Sequence, residues 1–520
     1  MKIVGILGST LLFAATVSAK WCVNMNQYKN TFDYTNKLQE LIDQANTLKQ
    51  PVVYLDAGVY SINPNKPIQL KEGVSLRGNR HFPTIITVID KNENGAIQIA
   101  SQNNGWSIQD IVFENVHIEL DGQKNDDEVA ILSNLFLNGG RGAVIAKNSE
   151  KLYIDGNIFL RDETHASTEK FVSYNTTNAG VMFQTQKNSV ISNNIFGMDL
   201  RKMDELQSAI QGSLKLPYNN LRYIHNCLDR GLSPEQGYLA SGVQLYNSND
   251  ITIKQNILNA TFPDVKHFTQ DHGISVVGSN QTYIYQNFVA GWQIADFGGA
   301  VRFTSAVDGY VISNYLANTG IMMYAAVHAD YLQVTNMIIH NNFLYRFLGP
   351  EMAPPPPLGG WLYEGITFYD FYTARRNYTS KVPIWDSSVS ISPYGWHIVV
   401  SGNKFGAIEG LDPNVISLGN LDPKEGLVDS KNCYVTEPLE FDSKTHDHSV
   451  PLLWRQMYEE ERISKHGSRI PKKTQSHTTQ DLHNEIPAPL RDLPIPDYWK
   501  VFTLKNNTVP MISPDMPCFA

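Results

Sequence analysis

The 520-residue sequence has little cysteine, little charge and no cluster of basic residues. Charged residues make up 18% of the chain, and 51 acidic residues outnumber 42 basic ones. The resulting net charge of −9 argues against a nucleic-acid-binding protein, because contacts to phosphates need clustered Lys and Arg. The apolar fraction of 42% is that of a folded protein, so a disordered chain is also excluded.

Only one stretch is apolar enough to suggest a membrane segment, and it lies at the N-terminus. Residues 1–19 combine a positive charge at Lys2, an apolar core and the small residues Val17-Ser18-Ala19. This combination is typical of a secretory signal peptide, and its core is shorter than the ~20 residues that a membrane span needs. We therefore predict a secreted, extracellular and monomeric protein that makes no membrane contact after cleavage at Ala19.

The four cysteines are too far apart in the sequence for a zinc site, which needs closely spaced pairs. Their even number in an oxidising compartment predicts two disulfide bonds, in any of three pairings. Five Asn-x-Ser/Thr triplets fit a secreted glycoprotein. The cysteines are Cys22, Cys227, Cys433 and Cys518, and the triplets begin at Asn175, Asn259, Asn280, Asn377 and Asn506.

Short alternating segments that end in Asn repeat along the chain. Residues 242–258, 273–289 and 300–316 each begin with an alternating apolar strand, turn through polar residues and finish with a second short strand. No apolar stripe of 3.6-residue period lies between the strands, so the repeat predicts a β-solenoid. We expect the recurring Asn residues to adopt left-handed backbone and to stack as a ladder. They are Asn157, Asn194, Asn226, Asn256, Asn287, Asn314 and Asn342.

Composition divides the chain into four regions. After the signal peptide, residues 20–50 contain an amphipathic helix that is expected to cap the first coil, since an open end would expose apolar core and strand edges. Residues 51–410 are expected to form the solenoid. Residues 411–520 are richer in charge, Pro and His, and they predict an irregular C-terminal arm packed along it.

The segments VVYLDAGVYSI and GVSLRG, followed by the Asn-ended coils, resemble the pectin-lyase-like superfamily. This resemblance covers roughly residues 50–410. It implies an all-β fold, a right-handed single-stranded parallel β-helix. It also implies action on polysaccharides by hydrolysis, β-elimination, epimerisation or fructosyl transfer. The fold alone does not decide among these reactions.

The densest group of candidate catalytic residues lies at the starts of two successive coils. Asp271 and His272 immediately precede one strand, and Asp296 precedes the next. Stacked coils would bring such residues together on one exposed face of a sheet. We predict Asp271 and Asp296 as the acid and the base or nucleophile of a glycosidase, with His272 beside them.

Arg302 is the main candidate for binding the substrate. If Val301 and Phe303 point inward, Arg302 points outward beside Ser275 of the preceding coil, and its guanidinium can bind a carboxylate through two hydrogen bonds. The other predicted substrate contacts are Ser275, Asp264, His267 and Trp292.

Two short motifs are similar to those of polygalacturonases. Asp271-His272-Gly273 approximates their Gly-His-Gly motif, and Arg302-Phe303-Thr304 approximates their Arg-Ile-Lys motif. The resemblance implies glycoside hydrolysis without a cofactor, although the paired Asp-Asp of that family is replaced by Asn249-Asp250-Ile251. Two alternatives stay open. One is a polysaccharide lyase or other glycan-modifying enzyme in which Arg302 or His272 takes a proton and Ca²⁺ neutralises the uronate. The other is a non-catalytic glycan-binding protein.

Overall fold

The computed structural model describes most of the central part of the chain. The described residues are 32–88, 99–101, 105–122, 128–137, 142–160, 179–197, 239, 241–259, 272–292, 301–317, 319–325, 333–346, 365–370, 395–407, 416–418, 421, 426–428, 431–435, 486–491, 493–494 and 518. They form one α-helix, 35 β-strands and one 3₁₀ helix, Ala488–Leu490. Consecutive strands rotate among three all-parallel sheets, so the chain is a right-handed parallel β-helix, as predicted.

The first sheet contains twelve of the described strands, and each pairs only with the corresponding strand of the neighbouring coils. Its strands are β1 (Val52–Tyr54), β4 (Ser75–Arg77), β7 (Ser107–Gln109), β10 (Val129–Leu132), β13 (Leu152–Asp155), β16 (Lys187–Ser192), β19 (Asn249–Lys254), β22 (Asn280–Tyr285), β25 (Val307–Ile312), β28 (Val334–His340), β31 (Gly395–Ser401) and β34 (Gly426–Val428).

The second sheet also contains twelve of the described strands and follows the first after a short turn. Its strands are β2 (Gly58–Ile62), β5 (Thr84–Val88), β8 (Val112–Glu114), β11 (Leu135–Leu137), β14 (Ile158–Leu160), β17 (Ile195–Phe196), β20 (Ile257–Asn259), β23 (Phe288–Ala290), β26 (Tyr315–Ala317), β29 (Phe343–Arg346), β32 (Lys404–Ala407) and β35 (Cys433–Tyr434).

The third sheet contains eleven of the described strands and completes each coil. Its strands are β3 (Ile68–Gln69), β6 (Ile99–Ser101), β9 (Ile118–Asp121), β12 (Gly142–Lys147), β15 (Ala179–Gln184), β18 (Ser241–Tyr246), β21 (Ile274–Val277), β24 (Val301–Thr304), β27 (Ile321–Ala325), β30 (Ile366–Asp370) and β33 (Ile416–Ser417).

Helix α1 (Thr35–Thr47) lies at the N-terminal end of the solenoid, within the segment predicted to be helical. Leu38, Ile42 and Ala45 recur at helical spacing, and all three are buried in the same core as the first coils. The helix therefore covers apolar core that the first coil would otherwise expose. Among the described residues, no helix is both long enough and apolar enough to cross a membrane.

The interior is filled by columns of identical or similar apolar side chains, one from each coil. Inside the second sheet, Phe113, Phe136, Phe159 and Phe196 stack with ring centroids 5.0, 5.0 and 4.8 Å apart. This spacing is close to the distance between neighbouring strands, so each ring lies directly over the next. The inward-facing residues of each strand therefore pack against their counterparts in the neighbouring coils, which gives one continuous core along the solenoid.

An asparagine ladder occupies the turn from the first sheet to the second. In each rung after Asn134, the side-chain oxygen accepts hydrogen bonds from both the backbone N–H and the Nδ2 of the preceding rung, at 2.9–3.1 Å. Its Nδ2 also donates to a backbone carbonyl in the coil before, as from Asn287 to Ile253 at 2.9 Å. The rungs are at most 4% exposed, and they are Asn134, Asn157, Asn194, Asn256, Asn287, Asn314, Asn342, Asn403 and Asn432.

The ladder confirms the prediction of stacked asparagines but corrects it in two respects. Asn194 bonds directly to Asn256, and β17 pairs directly with β20, so the ladder passes from Asn194 to Asn256 with no rung between them. Asn226 itself lies outside the described residues. The left-handed backbone belongs to the residue before the rung in every rung from Asn134 to Asn403, such as Gln286 with a φ of 56°, because the rung side chain must point inward to reach the next Asn.

A C-terminal segment packs on the outer side of the first sheet. Ile486 and Leu490 form a small apolar cluster with Ile312, Ile338 and Val399, which belong to three successive coils. Gln286 Nε2 donates a hydrogen bond to the Pro494 carbonyl at 2.7 Å. The sulfur atoms of Cys433 and Cys518 also lie within bonding distance, whereas Cys22 and Cys227 lie outside the described residues.

Replacing one rung of the ladder should destabilise the solenoid. Asn287→Ala leaves the Asn256 N–H and the Ile253 carbonyl without their partners in a buried turn, so we expect the free energy of unfolding to fall by roughly 3 kcal/mol. Asn36→Ala, in an exposed position of α1, is the matched control and should change it by less than about 0.5 kcal/mol. Urea unfolding followed by circular dichroism measures both, and equal stability of the two variants would contradict the role of the ladder.

Candidate functional site

Arg302 lies on the outward side of the third sheet, as its position in the sequence predicted. Val301 and Phe303 on either side of it point into the core and are 0% and 1% exposed. Arg302 pairs in register with Ser275 of the coil before and with Met322 of the coil after. The strand alternation therefore places this guanidinium on the outer face, where it is half-buried.

Three neighbouring side chains hold the guanidinium of Arg302. Its Nη1 lies 2.7 Å from His272 Nε2, and its Nε donates to Thr304 Oγ1 at 3.1 Å. Its carbon Cζ lies 4.5 Å from the centre of the Tyr324 ring, at cation–π distance. Because Arg is always a donor, His272 must accept through Nε2, which makes its imidazole neutral in this arrangement. The guanidinium is thus fixed in position before any ligand binds.

No carboxylate balances the charge of Arg302 among the described residues. The ion pairs between described residues all involve other cations, and those cations lie in coils closer to the N-terminus. Among the described residues, the three contacts of Arg302 are an imidazole nitrogen, a hydroxyl oxygen and an aromatic ring, all of them uncharged. A half-exposed and oriented guanidinium of this kind is suited to binding a carboxylate or another oxyanion from solution.

The outward face of the third sheet is only partly accessible, which differs from the expected long exposed face. The residues in register with Arg302 form one row across the strands, and this row is mostly buried: Ile145, Met182, Gln244, Ser275 and Met322 are at most 6% exposed. A second row consists of the last residue of each of five successive strands, and its residues stay at least partly accessible. We call these residues, together with Arg302, the accessible strip: Asp121, Lys147, Gln184, Tyr246 and Val277. The alternation within each strand is the sequence signal for this strip, and Arg302 is the one strip residue that was predicted from it.

The predicted site residues differ in how well the structure supports contact with a ligand. His272 and Ser275 lie next to Arg302, but they are only 1% and 6% exposed. Trp292 is a correction: it is 0% exposed and belongs to the apolar core, because the residues after β23 turn inward there. It therefore cannot contact a sugar. Four predicted residues lie outside the described part of the chain: Asp264, His267, Asp271 and Asp296.

A second charged group lies at the N-terminal end of the same sheet face. Lys147 Nζ lies 2.5 Å from Glu119 Oε1, and Asn148 Nδ2 donates to Asp121 Oδ1 at 3.1 Å. His117, which precedes β9, is only 3% exposed. Burial lowers the pKa of His117 to about 4; Lys147 contributes to the lowering, and Glu119 opposes it. In the described residues, no group of three or more His, Cys, Asp or Glu is placed to hold a metal ion.

Comparison with known proteins gives a likeness in fold. No family model matches the chain, and no curated protein matches it significantly. The A-module of mannuronan C-5 epimerase AlgE4 from Azotobacter vinelandii is 14% identical, with a TM-score of 0.37, over 78% of this chain and 92% of that chain. The Streptococcus pneumoniae surface adhesin PfbA is 14% identical, with a TM-score of 0.44, over 81% and 95%. A Thermotoga maritima exopolygalacturonase is 10% identical, with a TM-score of 0.44, over 78% and 89%.

At such identities the likeness concerns the fold alone, and the three-sheet topology is what defines the class. The chain is a parallel β-helix protein, with three all-parallel sheets. On its third sheet it carries an oriented guanidinium at the end of the accessible strip.

The buried His117 predicts a loss of stability in acid. The unfolded imidazole protonates near pH 6.5, whereas the folded one stays neutral down to about pH 4. The unfolded state therefore binds the extra proton first, and stability falls as the pH drops through this window. Between pH 7 and pH 4.5 the expected contribution is roughly 2.5 kcal/mol.

Measuring the free energy of urea unfolding at both pH values tests this contribution. His117→Gln should lose less stability in acid than the unchanged protein. His81→Gln, at an exposed histidine, should lose as much as the unchanged protein. Parallel losses in all three proteins would contradict the assignment.

Proposed function

We propose that the protein is a secreted polysaccharide-active enzyme that binds an acidic glycan along the accessible strip, with Arg302 holding a carboxylate of the chain. The observation that carries this proposal is the guanidinium itself. It is half-exposed, it is fixed by His272, Thr304 and Tyr324, and among the described residues it has no carboxylate partner. A group with these properties is suited to a uronate, whose carboxylate accepts two parallel N–H bonds.

The accessible strip supports an extended ligand. Its residues come from successive coils, which are separated by about 4.8 Å, so a chain lying across the strands would meet one side chain after another. Gln184 supplies amide donors and acceptors and Tyr246 supplies an aromatic ring, whereas Lys147 is already paired with Glu119. Polar groups at regular spacing on a rigid face favour a polymer with a regular repeat over a small compact ligand.

Glycoside hydrolysis is the reaction we propose for this site. Asp271 is the residue directly before His272, and Asp296 precedes β24, which carries Arg302. One carboxyl group would protonate the leaving oxygen, and the other would activate water or attack the sugar. Arg302 would hold the uronate beside them, and its charge would favour the ionised carboxylate of the pair.

The contacts of Arg302 favour hydrolysis over β-elimination. A lyase needs a base to take the C5 proton, and the two candidates were Arg302 and His272. The Nε2 lone pair of His272 is occupied by the guanidinium at 2.7 Å, and that guanidinium stays protonated in proteins. Neither group is therefore placed to take a proton in this arrangement. Ca²⁺, which a lyase would use, plays no part in the proposed reaction.

A panel of polysaccharides incubated with the secreted protein tests the reaction. We expect new reducing ends from polygalacturonate or another polyuronate, without the ultraviolet absorbance of an unsaturated uronate. Asp271→Asn should lower the rate at least roughly 100-fold, because it removes a general acid or base. Unsaturated products would contradict hydrolysis, and no product from any glycan would favour the non-catalytic alternative.

Substituting Arg302 tests the binding role separately from the reaction. Arg302→Lys keeps the charge but loses the two-pronged geometry, so binding of a galacturonate oligosaccharide should weaken roughly 10- to 100-fold. Lys187→Ala, at an exposed cation of the first sheet, is the control and should bind normally. Isothermal titration with the Asp271→Asn protein avoids turnover of the ligand. Unchanged affinity of Arg302→Lys would overturn this assignment.

A further inference from the structure

A second cationic surface lies on the outer side of the first sheet, at the N-terminal coils. Tyr54 on β1 pairs in register with Arg77 on β4, and Asp110 directly follows β7 of the next coil. Arg80 and Phe82 lie in the connection from β4 to β5. We call these five residues the Arg77–Arg80 patch. It lies six coils from Arg302, or roughly 30 Å along the solenoid, and on a different sheet.

The charges of the patch do not cancel. Arg77 Nε lies 3.6 Å from Asp110 Oδ2, and Arg80 Nε lies 3.0 Å from the same oxygen. Two guanidinium groups therefore share one carboxylate, which leaves one excess positive charge on a chain whose net charge is −9. The Arg80 side chain is 59% exposed, and Asp110 is only 11% exposed beneath it. A ligand from solution would meet the guanidinium groups before the carboxylate.

The backbone of the patch is ordered by specific contacts. Asn79 Oδ1 accepts hydrogen bonds from the His81 and Phe82 N–H groups, at 2.8 and 3.2 Å. The Asn79 N–H donates in turn to Thr84 Oγ1 at 2.9 Å. At Gly78 an added Cβ would lie 2.1 Å from the Asp110 carbonyl oxygen, so only glycine allows the loop to approach Asp110 this closely. The loop therefore presents Arg80 and Phe82 in a fixed arrangement, which lowers the entropy lost on binding.

Two aromatic rings of the patch are exposed to solvent. Tyr54 is 59% exposed and Phe82 is 50% exposed, although both are large enough to contribute to a core. Exposed rings beside arginines on an ordered surface are typical of a binding site. Rings can cover the apolar faces of sugars, while guanidinium groups bind carboxylates or sulfates.

We propose that the Arg77–Arg80 patch binds an anionic polysaccharide and is a second glycan contact, separate from the Arg302 site. The excess positive charge selects an anionic chain, and the exposed rings favour a sugar polymer over a simple salt. Within the patch, the one carboxyl group is engaged by both arginines, so its role is binding and not catalysis. A long chain that contacts both sites would be held more tightly than either site alone could hold it.

Affinity electrophoresis of the full-length protein in gels containing polygalacturonate or alginate tests this proposal. The experiment uses the Arg302→Lys protein, so that the remaining retardation reports the patch. Adding Arg80→Ala or Phe82→Ala should weaken the remaining binding about fivefold. Adding Lys187→Ala removes an equal charge elsewhere on the same sheet and should have no effect. Thermal unfolding of each variant confirms that the fold is retained.

The outcomes separate the two sites. Loss of the remaining retardation with Arg80→Ala, but not with Lys187→Ala, supports the patch even if Arg302 proves to have no role. Equal retardation of the patch variants and the control would overturn the proposal, as would the absence of retardation by both polyanions in the unchanged protein. Equal weakening in a neutral glucan gel would overturn the anionic class of ligand.

Discussion

The turn between the first and second sheets is the constraint on which the solenoid depends. Most coils change direction here within two residues and bury the backbone polar groups of that turn, which cannot reach water. The asparagine ladder solves this problem, because each rung bonds the backbone of one neighbour and the side chain of the next. The rungs align the coils, and their alignment fixes the register of all three sheets.

This constraint also determines where the chain can vary. The Asn turn stays two residues long from Asn134 to Asn403, whereas much longer connections separate the second sheet from the third, as between Phe196 and Ser241. Loops can therefore be added beside the third sheet without disturbing the register. Arg302 lies on that sheet, so a rigid strand positions the guanidinium while variable connections begin and end nearby. Rigid placement is what allows a charged side chain to select one ligand geometry.

The sequence allowed the fold to be predicted because its signals are local and repeated. Alternation within a strand correctly placed Val301 and Phe303 inside and Arg302 outside, and the amphipathic pattern within residues 20–50 correctly predicted a helix, α1. Errors arose where local pattern does not determine contacts between coils. Asn226 matched the repeat interval, but pairing passes directly from β17 to β20. Trp292 resembled a sugar-stacking residue, but the turn after β23 directs it into the core.

The proposed function depends on Arg302 binding the carboxylate of an acidic glycan on the third sheet. A crystal structure of the Asp271→Asn protein with a galacturonate oligosaccharide tests this binding. We expect a uronate carboxylate within hydrogen-bond distance of the Arg302 guanidinium, with further sugars lying along the accessible strip towards Tyr246. An oligosaccharide bound only elsewhere, with Arg302 still held by His272 and touching no ligand, would contradict it.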